Sequence, residues 1–452
     1  MIEQFIVLSH YLQTKYRPSF HSRQELEVWQ ERQVHRYLQK VLPLSPFYRR
    51  YYQGLQIQDW RDFPTIKKQI MMDNFDTLNT VNIRRDHALK IAFQSEESRD
   101  FSPQINDVSI GLSSGTSGNR GLFLVNRQER LKWAGIILAK VLPAPLWAGH
   151  KVAFFFRANN NLYQTVNSRI VQFRFFDLLE PFSSHIQRLN YFQPSILVAP
   201  PLALRMLAEA IKLNKLKIKP MKVISMAEVL DPLDESFISE QFQQLVHQIY
   251  QCTEGFLGVT CSQGTIHLNE DLIVIQKEYL DDQNRRFIPV ITDFHRITQP
   301  IIRYRLNDIL VESKFPCACG SFFTALEKIE GRSDDVFYIS PQSGGKLIPV
   351  FPDFIRNTII QVSPEIAEYR IIQHHPGLIE VFMKTSAEAG PKIEGELDQA
   401  LNRLFSGLNC QMPHIIHTNL PEQTDFRKKH RRIERKFKLD DDEANVVRPI
   451  KH

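Results

Sequence analysis

The chain has 452 residues, 43% hydrophobic and 23% charged, and its 56 Lys and Arg against 50 Asp and Glu leave a formal charge of +6. Those proportions suit a globular protein of about two or three domains with a large core. They exclude collagen-like and low-complexity classes, and so mild a charge does not by itself point to nucleic acid.

The N-terminus, Met1-Ile2-Glu3-Gln4-Phe5-Ile6, lacks the basic region of a signal peptide. Five Cys in the whole chain suit a reducing compartment, so a cytoplasmic protein is expected. Ser22 to Leu42 carries apolar residues at helical spacing and reads as an amphipathic helix. Ser45-Pro46-Phe47-Tyr48 ends it, and a polar, aromatic-rich segment runs to about Asn106. Asp107 to Leu112 alternates and gives way to small polar residues; Leu122 to Val125 reads as a strand. Asn126 to Leu142 reads as a helix with Asn126 as a candidate cap. The most apolar region, Trp133 to Phe156, is broken by Lys140, Pro143, Pro145 and His150, short of the roughly 20 apolar residues of a bilayer span.

From about Val152 to Tyr250, strand-like runs (Lys151–Phe156, Ile196–Ala199, Lys222–Ser225, Gln248–Tyr250) alternate with helix-like ones (Leu202–Leu213, Leu233–Leu245). That rhythm predicts an α/β fold with β-α-β units and a mostly parallel sheet. Gly258 to Asp308 is richer in β-type runs, and a second mixed unit follows a composition shift near Arg332 to Asp335.

Six segments could carry chemistry. Ser113-Ser114-Gly115-Thr116-Ser117-Gly118-Asn119-Arg120-Gly121 offers four hydroxyls, three glycines and an Arg. Such a loop can cradle an anion, although it also reads as a Ser/Gly surface loop and lacks the P-loop pattern. Tyr250-Gln251-Cys252-Thr253-Glu254-Gly255 follows a strand, where a hydroxyl and a carboxylate could hold a phosphate oxygen and Mg²⁺, or simply cap a turn. Arg303-Tyr304-Arg305-Leu306-Asn307-Asp308 ends in an Asp able to accept both hydroxyls of a ribose, or to form a structural ion pair. Glu330-Gly331-Arg332-Ser333-Asp334-Asp335 suits a turn or a hinge. Cys261, His267, Cys317 and Cys319 are three thiols and an imidazole, a full set for a closed tetrahedral zinc, or else free thiols beside a His. The tail Arg427 to Lys438 holds eight Lys and Arg in twelve residues. It suits a nucleic-acid or membrane patch, a solvated face, or one Lys delivered to an active site.

In their order along the chain, these segments resemble the adenylate-forming acyl ligase superfamily, and more closely its phenylacetate–coenzyme A ligase and deazaflavin-adenylating synthetase branch. Ser45-Pro46-Phe47-Tyr48-Arg49-Arg50 and Thr292-Asp293 leading into Pro300-Ile301-Ile302-Arg303 add to the likeness. The resemblance implies a large N-terminal domain, residues 1–333, with mostly parallel sheets and helices, and a small mobile α+β lid, residues 334–452. It implies ATP-dependent conversion of a small aryl or hydrophobic carboxylic acid to an acyl-adenylate, then transfer to the thiol of coenzyme A or a carrier protein. By that likeness Ser113, Ser114, Gly115, Thr116, Ser117, Gly118 and Arg120 face the phosphates, Thr253 the α-phosphate, and Glu254 holds Mg²⁺. Ala227, Glu228 and Tyr250 border the nucleotide, Asp308 and Arg332 hold the ribose, and Asp334 is the hinge. Lys429 matches the catalytic lysine, with Lys428 beside it where relatives have Gly. Cys261, His267, Cys317 and Cys319 match a bound zinc in the branch. Leu306-Asn307 stands where relatives have Thr-Gly, and Arg120 where many have Lys. Two other readings are an adenylyltransferase that leaves AMP on its acceptor and a zinc-stabilised nucleic-acid or partner-binding protein. No membrane and no nucleic acid is expected as a partner, and a homodimer is compatible with the sequence.

Overall fold

The computed structural model describes residues 2–17, 20–113, 120–281, 285–386, 389–420 and 431–439. The segments 114–118 and 428–429, which include the proposed phosphate loop and both candidate lysines, lie outside the described residues.

Up to Ser98 the described chain is helical, and a small antiparallel sheet of Gln104–Ile105, Val108–Leu112 and Leu122–Val125 follows. Ser22 caps the helix Arg23–Val41 by accepting from the Glu25 N–H at 3.1 Å. Ser45 caps the helix Pro46–Tyr51, so the Ser-Pro break in the sequence restarts a helix. Asn126 and Glu129 form a reciprocal capping box on the helix Arg127–Val141, each satisfying the other's backbone N–H at 2.9 Å. The helix Ile2–Lys15 packs against that helix so closely that a Cβ on Gly135 would lie 2.5 Å from the Val7 carbonyl oxygen.

A twelve-stranded sheet forms the centre. Five strands, Val171–Asp177, His150–Phe156, Ile196–Ala199, Lys222–Met226 and Val246–Cys252, lie side by side in parallel. Alternate residues of one strand enter different cores: Val152 and Phe154 face one, Ala153 and Phe155 the other. Helices Phe182–Phe192, Pro201–Lys212 and Pro232–Phe242 cover the second face, which explains the nearly unbroken apolar strand sequences. From Gly255 onward the same sheet continues antiparallel through Ile266–Leu268, Ala325–Arg332, Asp308–Glu312, Arg286–Asp293 and Ile273–Asp281. Within this sheet parallel order is thus confined to the β-α-β stretch that the sequence rhythm marks. The sheet's hairpins, such as Val246–Cys252 with Gly255–Thr260 and Ile273–Asp281 with Arg286–Asp293, have connections too short for crossover helices.

After Asp335 the chain builds a separate four-stranded sheet, with Leu378–Lys384 and Glu368–His375 at its centre and His414–Asn419 and Ile433–Arg435 at its edges. The helices Pro352–Val362 and Gly390–Gly407 pack on it around their own apolar core. A buried ionic cluster joins this sheet to the helix Pro232–Phe242. Arg432 Nη2 lies 2.7 Å from both Asp234 carboxylate oxygens, and Tyr369 Oη donates to Asp231 at 2.8 Å. Among the described residues no helix is long and apolar enough to cross a membrane.

Candidate active site

In a parallel sheet every strand delivers the chain to the same end, and ligand clefts form there. Here Arg157, Pro201, Ala227, Glu228 and Thr253, which follow four of the five parallel strands, line one cavity of about 1440 Å³. Ser113, Arg120, Tyr250, Glu254, Asp308 and Arg332 line the same cavity. Residues spread over more than two hundred positions therefore meet in one place. Asp334 sits in the short turn Ser333–Asp335 just beyond it and accepts from Asn307 Nδ2 at 3.0 Å. Asn307 is thus bonded to the residue expected to be the hinge.

Thr253 and Glu254 form the tip of a two-residue hairpin, since Cys252 pairs with Gly255. Thr253 Oγ1 donates to Glu254 Oε2 at 2.8 Å. Tyr304 packs against Glu254, and burial followed by that carboxylate raises its phenol well above the usual range. Asp308 and Arg332 are cross-strand partners, with Arg332 Nε 3.6 Å from Asp308 Oδ1. Tyr250 Oη donates to Asp308 Oδ2 at 2.7 Å. A carboxylate has about four acceptor sites, so Asp308 keeps capacity for a diol. Ala227 holds φ +70 on the cavity wall, a left-handed conformation that costs a non-glycine residue about 1–2 kcal/mol.

At the other side of the cleft, Ser113 N donates to the Gly121 carbonyl at 2.7 Å and Gly121 N to Ser113 Oγ at 2.7 Å, closing the base of the loop between them. Arg120 grips both Glu96 carboxylate oxygens at 2.5 Å and donates to the Ser113 carbonyl at 3.0 Å. Three of its five N–H donors thus hold the loop base. Lys68, from the short helix Lys68–Asp73, reaches Ser113 Oγ at 3.3 Å and lines the cavity. Burial lowers its pKa, opposed by Glu254. The sequence carried no signal for Lys68, which lies outside any motif.

A second part of the cavity is aromatic: Phe156 and Trp133 both approach Tyr163, at ring distances of 6.1 and 6.0 Å. Beside it Lys132 Nζ lies 2.9 Å from His295 Nδ1. Burial, then Lys132, drives the His295 imidazole well below its ordinary value. Asp293, buried and facing Gly255, is raised to about 6 by burial against the pull of Arg296. Arg296 Nη1 donates to the Thr253 carbonyl at 3.1 Å and so ties this chamber to the hairpin tip. None of these groups was singled out from the sequence for a role in the site, because helix and strand bring them together from positions far apart.

Cys261, His267, Cys317 and Cys319 form one cluster, their donor atoms all within 4.8 Å of one another. Cys261 and Cys317 sulfurs are 3.7 Å apart, and Cys319 Sγ is 3.4 Å from His267 Nε2. Zn–S bonds of about 2.3 Å and Zn–N bonds of about 2.0 Å give tetrahedral edges of roughly 3.8 and 3.5 Å. His267 Nδ1 donates to the Phe323 carbonyl at 3.0 Å, which leaves Nε2 free to act as a ligand. The donor set and its spacing fit a closed zinc site.

No family model matches this chain, and no curated protein matches it. Solved structures do. A 2-hydroxyisobutyryl-CoA ligase in its postadenylation state, with 2-HIB-AMP, is 17% identical at a TM-score of 0.67, covering 95% of this chain and 92% of that one. The chain has the adenylate-forming ligase fold. The same ligase in its thioesterification state is 18% identical and matches at a TM-score of 0.54, over 94% of this chain and 91% of that one. The amide bond synthetase McbA from Marinactinospora thermotolerans is 10% identical at a TM-score of 0.51, over 70% of this chain and 65% of that one. The ligase fold thus appears in proteins named for different acceptors, and a fold alone does not choose among them.

Proposed function

We propose that this protein activates a carboxylic acid with ATP to form an acyl-adenylate, then passes the acyl group to a thiol. The observation that carries this reading is the convergence of Ser113, Thr253-Glu254, Asp308 and Arg332 on one cleft at the ends of the parallel strands. In the first step a carboxylate oxygen attacks the α-phosphorus, the bond to the bridging oxygen breaks, and pyrophosphate leaves. In the second the thiol sulfur attacks the acyl carbon, AMP leaves with the carboxyl oxygen, and the thiol proton passes to solvent.

Each described residue takes a role that its geometry permits. Asp308, held by Tyr250 and Arg332, accepts the ribose hydroxyls. The strained Ala227 and its neighbour Glu228 border the base. Thr253 offers its hydroxyl to the α-phosphate, and Lys68 with Ser113 meets the outer phosphates. Glu254 would hold Mg²⁺, which neutralises phosphate charge when bound. Lys429 is assigned to the transition-state charge; it precedes Arg431, which lines the cleft, by two residues. The aromatic chamber suits an aryl or hydrophobic acid, as in the phenylacetate–coenzyme A ligase branch, and coenzyme A is the favoured thiol. Residues 334–452 would form the lid, with Asp334 as its hinge. Cys261, His267, Cys317 and Cys319 would hold zinc as a structural staple between the turn after Thr260 and the loop before Ala325.

The test is pyrophosphate release from ATP against a panel of aryl and aliphatic acids. Release that requires both an acid and ATP, with AMP formed in equal amount once thiol is added, supports the reading. Folded protein that releases none across the panel overturns it, and a stable AMP adduct on an acceptor would favour adenylyl transfer instead.

A further inference from the structure

The end of the parallel sheet opposite the cleft has its own chemistry. The segments entering the five parallel strands are residues 142–149, 165–170, 193–195, 213–221 and 243–245, and parallel order brings them to one face. None of them contains an Asp or a Glu. They carry Arg169, Lys215, Lys217 and Lys219, all exposed, and the exposed Lys151 flanks them. The alternation of exposed Lys with buried Leu216 and Ile218 turns all three 215–219 lysines outward. Hydrogen bonds from Lys217 N to Asn190 Oδ1 and from Asn190 Nδ2 to the Lys215 carbonyl pin this segment beside Tyr191.

Large apolar side chains stand among these cations. Trp147 is 64% exposed, Tyr191 84%, Leu213 62% and Met221 60%. Leaving such groups in water costs free energy, and their collection on one rim marks an interaction surface. The chemistry of the two sets together selects the partner. Outward lysines without acids attract an anionic surface. Trp and Tyr are the side chains that settle at a membrane interface, and Leu and Met favour acyl chains over the faces of nucleobases.

We infer that this face docks peripherally on an anionic lipid bilayer, leaving the cleft at the far end of the same strands open to solvent. The inference is independent of the reaction proposed above. It departs from the expectation of no membrane partner drawn from the sequence, which weighed spanning segments and the basic tail 427–438 but not this face.

The full chain, sedimented with phosphatidylcholine vesicles with and without phosphatidylserine, tests it. Binding should require phosphatidylserine, weaken with salt, and shift Trp147 fluorescence to the blue. Replacing Lys215, Lys217 and Lys219 together by Gln should lower vesicle affinity by roughly a hundredfold, about fivefold for each lysine. The independent pair Trp147→Ser and Leu213→Ser should lower it at least tenfold without changing the melting temperature. The inference is overturned if phosphatidylserine makes no difference, or if either variant set binds as the parent does. It is equally overturned if duplex DNA displaces the vesicles, or if the Trp147 and Leu213 substitutions instead dissolve a dimer of this chain.

Discussion

Lys68 and Arg120 divide the cationic work at the base of the Ser113 loop. Arg120 places its fork on Glu96, while Lys68 brings an ammonium to Ser113 Oγ. Lys68→Met should therefore lower acid-dependent pyrophosphate release by about 10²-fold, the usual loss when one preorganised charge donor is removed, with an unchanged melting temperature. An effect below threefold would return the role to Arg120. Asp293 makes a different prediction. Its folded pKa, about 6, lies above the ordinary 3.8 because of burial. Stability drawn from the neutral carboxyl is full below about pH 4 and is lost as pH rises through about 6. Asp293→Asn should match the parent in urea denaturation near pH 4 and exceed it by about 2–3 kcal/mol near pH 8. Equal stability at both values would mean that Arg296 and Lys132 fully compensate the buried charge. Thr253, Glu254, Asp308 and Arg332 could be picked from sequence through the ordered motifs of the resemblance; read singly, they are as well explained by turns and a structural ion pair. Lys68, Lys132 and His295 could not be picked, because only tertiary packing brings them to the cleft, and Asp293 entered the likeness without a role.

At the scale of elements, the junction between the large sheet and the four-stranded sheet rests on charge. Burial pushes the Asp234 carboxyl up, yet Arg432 and Arg205 hold it below its ordinary value. Its contribution is present at neutral pH and is lost as pH falls through that lowered value. Asp234→Ala strands the buried Arg432 and should cost about 3–5 kcal/mol by urea denaturation; a loss under 1 kcal/mol would show that Asp231 takes over the guanidinium. The cysteine cluster is a second joint. Purified protein should carry about one zinc per chain, and Cys319→Ser should abolish it and lower the melting temperature. Metal-free parent protein of unchanged stability would remove the site. Helix Arg127–Val141 and four of the five parallel strands were legible from periodicity and capping, since both faces of those strands are covered; the edge strand Val171–Asp177, its apolar run broken by Gln172 and Arg174, was not. The antiparallel half was legible only as β-rich, because its pairing joins strands such as Ile266–Leu268 and Ala325–Arg332 across long gaps in the chain.

Across the whole molecule the two ends of five strands differ in kind. One end gathers carboxylates, hydroxyls and cations around a cavity; at the other, the five segments entering the strands carry exposed lysines and no acid. The central claim is that residues around Ser113, Ala227, Glu254, Asp308 and Arg332 form one nucleotide site. Amide hydrogen exchange with and without ATP and Mg²⁺ tests it most directly. The account predicts slowed exchange together in residues 225–229, 250–255, 306–309 and 330–333, with little change in residues 213–221. Unchanged exchange in those four stretches at saturating ATP, or protection confined to one of them, would contradict it.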